Sequence, residues 1–269
     1  MSLQFQSLTF SFLMLLSCST GKLNVIANAP SSLKEISAAE TSSASSLIWV
    51  IEDAGNKNIL YGLNTNGAID KEIEITNVEN KDWEDLTSDN LGNIYIGDFG
   101  NNKGKRDSYA IYKVSNPEKA TTTATAEIIE FKLPKKMKAE DFESFFLLGN
   151  RFYIFSKETK KFKILSVPNV AGSHTATLVS EFNLEGKDNK ITSADISDDG
   201  KKIVLLNHEK LWLLTDFKGD AFFEGTITQV PFDHNSQKEG ICFKTNTSVL
   251  ITDEYKKNDG GNIYELGLN

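Results

Sequence analysis

The chain has 269 residues, of which 39% are hydrophobic and 25% are charged. This composition is typical of a folded globular protein and excludes an intrinsically disordered chain. The formal net charge is −8, so the surface would repel nucleic acid, and we expect no nucleic-acid partner. An acidic chain is better suited to bind a cation where several carboxylates converge.

The N-terminal segment is apolar and typical of a signal peptide. Residues 1–17 carry no charge, and the apolar run 10–16 is too short to span a bilayer. This run leads into Leu15-Leu16-Ser17-Cys18, which resembles the lipobox of bacterial lipoproteins, in which the cysteine is acylated and becomes the new N-terminus. We therefore predict a signal peptide over 1–17, lipidation of Cys18 and a location at the bacterial cell envelope, with the lipid as the only membrane contact. Because no basic residue follows Met1, ordinary secretion is the alternative, and the sequence does not distinguish the inner from the outer membrane.

An internal repeat with a period of roughly 45 residues occupies most of the remaining chain. Its five copies begin near Leu33, Asp82, Asp141, Ile191 and Gln237. In each copy a short strand follows acidic or polar residues, and a polar turn then leads to an apolar, β-rich strand such as 94–96. Two further strand-like segments follow, at 109–114 and 127–133 in the second copy.

Four strands in roughly 45 residues are typical of a β-propeller blade. No segment shows a sustained apolar period of 3.6 residues, so helices are expected to be few and short. We therefore predict an all-β chain with a single β-propeller over 33–269, built from five four-stranded blades, with six blades as the alternative.

The last copy has only three strands before the chain ends, which leaves residues 18–32 with two interpretations. In one, 22–27 supplies the outer strand of the final blade and removes an exposed sheet edge. In the other, residues 18–32 are a flexible tether after the lipid.

The copies contain the stretches DWEDLTSD, GNIYIGDFGNN, FESFFL, KEGICF and LITDE. In this order they resemble a group of largely uncharacterised secreted bacterial propeller proteins, which are similar in turn to esterase-like phytase and gluconolactonase-type propellers. The resemblance implies a propeller over most of 33–266 but little about its chemistry, because propellers host many unrelated functions. That family often has Asp at the position of Asn101 and a small residue such as Ala at the position of Ser144. The missing carboxylate at position 101 weakens any metal site in the second blade.

Acidic residues recur where the repeat places the mouth of the central channel. The innermost strand of each blade begins at the same face as the end of the second strand, so acids at these two places converge. Aligned on the repeat, the innermost strands begin with Glu35, Glu84, Glu143, Ala194 and Glu239. The second strands end with Asp53, Asp98, Lys157, His208 and Glu254, and Asp253 directly precedes Glu254. These carboxylates predict an acidic ring, with Arg106, Lys157 and His208 as compensating or supporting partners.

The acidic ring has two interpretations. Ca²⁺ takes about six to eight oxygen ligands, which several blades together would provide, so Ca²⁺ is the cofactor we expect if the ring binds metal. Alternatively, the acids solvate the channel mouth and accept hydrogen bonds from backbone amides of adjacent blades. Zinc is disfavoured because His174, His208 and His234 are not paired at ligand spacing.

Two functions remain open. The first is a monomeric ligand-binding or scaffold lipoprotein that uses its acidic face, stabilised by calcium, to bind a small molecule, a glycan or a protein. The second is a metal-dependent hydrolase of a phosphoester, ester or lactone. No nucleophilic triad is recognisable, so no catalytic residue is assigned and the hydrolase hypothesis depends on the metal.

Overall fold

The computed structural model describes residues 22–256 and 260–268. Cys18 and the predicted signal peptide over 1–17 lie outside these residues. The described chain is almost entirely β-strand, and its helices are two short 3-10 turns, η1 (Pro117–Lys119) and η2 (Phe222–Glu224). Among the described residues, no helix is long and apolar enough to cross a membrane.

The strands of the described chain are numbered in sequence order. They are β1 (Asn24–Asn28), β2 (Ile36–Ser42), β3 (Ser45–Glu52), β4 (Ile59–Leu63), β5 (Ile69–Ile75), β6 (Trp83–Ser88), β7 (Ile94–Asp98), β8 (Tyr109–Val114), β9 (Thr123–Ala124), β10 (Ala126–Lys132), β11 (Phe142–Leu148), β12 (Arg151–Ser156), β13 (Phe162–Pro168), β14 (Gly172–Thr175), β15 (Thr177–Phe182), β16 (Ser193–Ile196), β17 (Ile203–Leu206), β18 (Lys210–Thr215), β19 (Thr226–Pro231), β20 (Lys238–Thr245), β21 (Ser248–Asp253) and β22 (Asn262–Gly267).

These strands form five sheets, which are the blades of a propeller. From the channel outward, blade 1 has the order β2-β3-β4-β5, blade 2 β6-β7-β8-β10, blade 3 β11-β12-β13-β15, blade 4 β16-β17-β18-β19 and blade 5 β20-β21-β22-β1. Each inner strand contacts the inner strands of both neighbouring blades, and β20 contacts β2, so the ring is complete. The short strands β9 and β14 add in parallel to the outer strands β5 and β10. The predicted all-β fold with five four-stranded blades is confirmed.

The hydrophobic core is divided among the five interfaces between adjacent blades. Each cluster of buried apolar side chains combines residues from two neighbouring blades. Trp49 of blade 1 and Trp83 of blade 2 share one cluster, and Phe155 of blade 3 and Trp212 of blade 4 share another. Because both faces of a blade are covered, its second strand is apolar without alternation, and every residue of β7 is buried.

Strand β1 closes the ring. It pairs antiparallel with β22 as the outer strand of blade 5, with Asn24 opposite Glu265 and Asn28 opposite Asn262. Ala27 joins the buried cluster between blades 5 and 1. Of the two interpretations of residues 18–32, the structure has the blade-closing strand, at Asn24–Asn28 where 22–27 was predicted, and residues 18–21 lie outside the described part of the chain.

Candidate metal centre

One mouth of the central channel lies where the inner strands begin and the second strands end. In three blades the amide that follows the second strand donates to the carbonyl that precedes the inner strand, in the pairs Asp53–Glu35 (3.0 Å), Lys157–Asp141 (2.9 Å) and Glu254–Gln237 (2.9 Å). In blade 2 the chain is displaced by one residue, and Gly100 N donates to Asp82 O at 3.2 Å. These hydrogen bonds hold the ends of four inner strands around the same mouth.

The strand register corrects the alignment of the sequence copies in blades 1 and 4. In each blade, the residue at the same place in the second strand pairs with one residue of the inner strand. These inner-strand residues are Ala39, Leu86, Phe145, Ala194 and Ile241. Two positions earlier, at the mouth, the inner strands carry Ser37, Glu84, Glu143, Thr192 and Glu239. Glutamates therefore occupy this position in blades 2, 3 and 5, whereas Glu35 is equivalent to Asp82 and Asp141.

Blades 1 and 4 have hydroxyl groups in place of the glutamate. Ser37 Oγ donates to the carbonyl of Trp83 at 2.9 Å, and Thr192 Oγ1 donates to the carbonyl of Lys238 at 2.9 Å. Both carbonyls belong to the inner strand of the next blade. The hydroxyls therefore join neighbouring blades, and the glutamates of the other blades are left to face the mouth.

Five carboxylates converge around Glu84. Carboxylate oxygens of Asp53, Asp82 and Glu84 lie within 4.8 Å of one another, and so do oxygens of Glu84, Asp141 and Glu143. The structure thus brings together three acids that the sequence selected, Asp53, Glu84 and Glu143. It adds Asp82 and Asp141, which the sequence analysis missed although each directly precedes an inner strand.

Glu84 and Glu143 are buried with oxygens that lack partners. Their exposed fractions are 5% and 3%, and within the described residues neither Oε1 atom has a hydrogen-bond partner. Lys157 Nζ lies 2.7 Å from the other oxygen of Glu143, Oε2. Burial raises the pKa of Glu84 well above its usual value, and the neighbouring Glu143 raises it further. Burial also raises the pKa of Glu143 to about 8, although Lys157 opposes the shift. A bound cation would relieve both effects.

Gly100 allows the cluster to form. A Cβ atom at this residue would lie 1.9 Å from Glu84 Oε1 and 2.5 Å from Asp82 Cγ. Only glycine leaves room for the two carboxylates at this turn. Burial raises the pKa of Asp82 to about 6, with repulsion from Asp53 as the next cause.

Asn101 positions Asp141. Its backbone amide donates to Asp141 Oδ1 at 2.5 Å. Its side-chain amide donates to the Tyr109 hydroxyl at 3.2 Å and to the Glu140 carbonyl at 3.1 Å. A carboxylate cannot donate these two hydrogen bonds, so the Asn101 side chain fixes the turn whose backbone amide contacts Asp141.

Three further predicted acids, Glu35, Glu239 and Glu254, also lie at this mouth. His208 Nε2 is 3.0 Å from Glu239 Oε1, and the Asn56 side-chain amide donates to Glu35 Oε2 at 2.8 Å. Burial raises the pKa of Glu254 to about 7, and repulsion from Glu239 is the next largest cause. Hydrogen-bond donors therefore offset part of the negative charge of Glu35 and Glu239.

Asp98, Asp253 and Arg106 brace the strands behind the mouth. Asp98 is fully buried and accepts hydrogen bonds from Arg106 Nη1 at 2.7 Å and the Tyr112 hydroxyl at 2.8 Å. Asp253 is also fully buried and accepts a hydrogen bond from the Tyr264 hydroxyl at 2.8 Å. Neither acid belongs to the two groups of converging oxygens.

Asp85, the residue after Glu84, bridges three blades. Its Oδ2 accepts hydrogen bonds from the amides of Phe145 at 3.0 Å and Ala194 at 3.2 Å, and its Oδ1 accepts one from the Ser193 hydroxyl at 2.8 Å. The sequence analysis considered this bridging role for the ring acids but missed Asp85. The available signal was the second aspartate of the DWED stretch, directly after Glu84.

A cavity lies at each end of the channel. One of about 280 Å³ lies beside the acidic mouth and is lined in part by Lys157, Asn207 and His208. The other, of about 470 Å³, lies at the opposite mouth and includes Glu40 and Asp195 in its wall. Burial raises the pKa of Asp195 to about 7 and that of Glu40 well above its usual value.

No protein-family model and no curated protein sequence matches the chain. Among solved structures, it is similar to a glutaminyl cyclase from Myxococcus xanthus, with a TM-score of 0.58 and 9% identity over 92% of this chain and 97% of that one. A PQQ-bound aldose sugar dehydrogenase from Streptomyces coelicolor has a TM-score of 0.55 and 9% identity over 91% and 96% of the two chains. A gluconolactonase from Xanthomonas campestris has a TM-score of 0.52 and 10% identity over 92% and 89%. At these identities the similarity shows the β-propeller fold alone.

Proposed function

We propose that the acidic mouth binds a hard divalent cation, with Ca²⁺ as the expected ion, and that the propeller is a ligand-binding module built around it. The observation that carries this proposal is the buried carboxylate of Glu84, which has an unpartnered Oε1 and converges with four other carboxylates. Carboxylate oxygens are the ligands that Ca²⁺ prefers. A divalent ion would offset the repulsion and burial that raise the pKa of Glu84.

Thermal melting with added CaCl₂ tests this proposal. We expect calcium to raise the Tm and EGTA to reverse the effect, because a ligand at about 100 times its Kd stabilises the folded state by about 2.7 kcal/mol. Glu84→Gln should abolish the shift. Glu74→Gln, which changes an exposed acid on the outer strand of blade 1, is the matched control and should retain it. An unchanged Tm and the absence of binding heat in the unaltered protein would contradict the proposal.

The cavity beside Lys157 and His208 is the proposed ligand site. Lys157 contacts Glu143 of the acidic cluster and also lines the cavity, so a ligand there would lie next to the cation. The Lys157 ammonium and the His208 imidazole both line the cavity. These hydrogen-bonding groups favour an oxygen-rich small molecule or glycan as the ligand. Binding to a glycan and metabolite array should depend on calcium and weaken in Lys157→Met, whereas equal binding in EGTA would contradict a shared site.

The proposed location is the bacterial cell envelope, through a lipid on Cys18. The support comes from the lipobox-like sequence and the resemblance to secreted bacterial propeller proteins. Mass spectrometry of the mature protein should find an acylated Cys18 at the N-terminus. An unmodified Cys18, or a mature chain that begins elsewhere, would contradict this location.

A metal-dependent hydrolase is the second candidate, and the contact between His208 and Glu239 favours it. The imidazole lies 3.0 Å from the carboxylate and lines the cavity beside the mouth. A histidine oriented by a carboxylate can accept a proton from water or donate one to a leaving group. Phosphoester, ester and lactone substrates should then be hydrolysed in calcium, and His208→Gln should lower kcat at least tenfold without loss of calcium binding. If no substrate in the panel is turned over, the binding function is favoured.

A further inference from the structure

The acidic cluster contains two groups of metal-ligating oxygens that share one residue. The first group is formed by Asp53, Asp82 and Glu84, and the second by Glu84, Asp141 and Glu143. The oxygens within each group lie within 4.8 Å of one another. We propose that the Glu84 carboxylate bridges two divalent cations, one held with Asp53 and Asp82 and the other with Asp141 and Glu143. This inference rests on the proposed function and specifies the number and arrangement of its ions.

Unpartnered oxygens support a ligand in the cluster. Glu84 and Glu143 are 5% and 3% exposed, and the Oε1 atoms of both have no hydrogen-bond partner among the described residues. Buried polar atoms are ordinarily paired, so two such atoms in one cluster point to a missing partner. A carboxylate has two oxygens and can bind one ion with each. Such a bridging carboxylate suits two-metal sites, in which the ions are about 3.5–4 Å apart.

The charge of the cluster also matches two ions. Lys157 compensates one of the five carboxylates, because its Nζ lies 2.7 Å from Glu143. Arg106 is engaged with Asp98, which belongs to neither group. Five ionised carboxylates and one ammonium leave four negative charges, which two divalent cations neutralise and one does not.

One turn contacts both groups. Asn101 N donates to Asp141 Oδ1 in the second group, and Gly100 packs against Glu84 and Asp82 in the first. The turn that follows β7 therefore links the two groups through consecutive residues.

Counting bound ions tests the inference. The protein is stripped with EGTA, dialysed against excess CaCl₂, and analysed for calcium per chain. We expect two ions in the unaltered protein, about one in Asp53→Asn and about one in Asp141→Asn. In both variants the amide oxygen preserves an acceptor, and circular dichroism without calcium verifies the fold. Glu74→Gln is the control and should retain two ions.

Electron paramagnetic resonance with Mn²⁺ tests the bridge. Two Mn²⁺ ions that share a carboxylate should give an exchange-coupled spectrum, and either single variant should give the spectrum of an isolated ion. Two ions without coupling would overturn the bridging role of Glu84. One ion in the unaltered protein would overturn the two-ion centre but leave the proposed function intact, and the absence of any bound ion would overturn both.

Discussion

Glu84 and Asp85 are neighbours on the inner strand of blade 2, yet their carboxylates have opposite environments. Both oxygens of Asp85 accept hydrogen bonds from blades 3 and 4, whereas Glu84 Oε1 has no partner within the described residues. Glu84 lies at the irregularity in pairing between Trp83 and Asp85 and has no partner residue on β7, whereas Asp85 pairs with Gly97 and its side chain enters the packed centre. The comparison teaches that an acid in this channel is held in place where donors of neighbouring blades reach it, as at Asp85, and keeps an unpaired oxygen where they do not, as at Glu84.

Removal of the Asp85 carboxylate should have the largest effect. Asp85→Leu would leave the amides of Phe145 and Ala194 and the Ser193 hydroxyl without their acceptor. Each buried unsatisfied group costs about 1–3 kcal/mol, so we expect a loss of about 3–5 kcal/mol in the free energy of unfolding, measured with urea. Asp85→Asn retains one acceptor oxygen and should lose less. A loss below about 1 kcal/mol in Asp85→Leu would remove the contrast with Glu84.

Gly100→Ala should affect the mouth more than the fold. The added Cβ would lie 1.9 Å from Glu84 Oε1, so the carboxylate must move. We expect at least a tenfold weaker calcium affinity by calorimetry and a stability loss of about 1–3 kcal/mol, typical of overpacking. Gly267→Ala, where a Cβ meets no atom within 4 Å, is the matched control. Equal calcium affinity in the two variants would contradict the role of Gly100.

The smallest effect, taken over one pH unit, is expected from pH at the opposite mouth. Burial raises the pKa of Asp195 from 3.8 to about 7, so the folded state holds a proton over this interval that the unfolded state has lost. The contribution of Asp195 to stability is therefore complete below about pH 4 and decreases as the pH rises to 7. In EGTA, Asp195→Asn should reduce the fall of stability with pH by at most about 1.4 kcal/mol per pH unit. Parallel pH profiles for the two proteins would contradict this assignment.

The fold could be predicted because its determinants repeat along the chain. Polar turns and apolar second strands recur five times, and the buried run of β7 in the structure matches the apolar run 94–96 in the sequence. The site could be predicted only in part, because the copies differ in residue type at the mouth. Blade 1 carries Ser37 and blade 4 carries Thr192 where the other blades carry a glutamate, so Glu35 was aligned with Glu84 although it lies two positions too early.

The role of each acid depended on contacts that no local pattern contains. Asp85 is structural because residues 60 and 109 positions further along the chain donate to it. Asp141 joins the cluster because Asn101, 40 residues earlier, holds it there. Such distances along the chain are set by the closure of the ring, and the sequence shows them only after the blades have been placed.

The ring closure by β1 also determines the order in which the propeller can be completed. Strand β1 is synthesised well before its partner β22, because the paired residues Asn28 and Asn262 are 234 residues apart. Blades 1 to 4 can assemble their four-stranded sheets from strands that are close in sequence, whereas blade 5 must wait for a long loop to close, which slows folding. Until then β1 remains an unpaired strand that carries Val25 and Ile26, which stay 54% and 40% exposed even in the finished ring. A chain truncated before β22 would therefore retain both an open ring and an apolar sheet edge, the features that expose a nascent protein to aggregation.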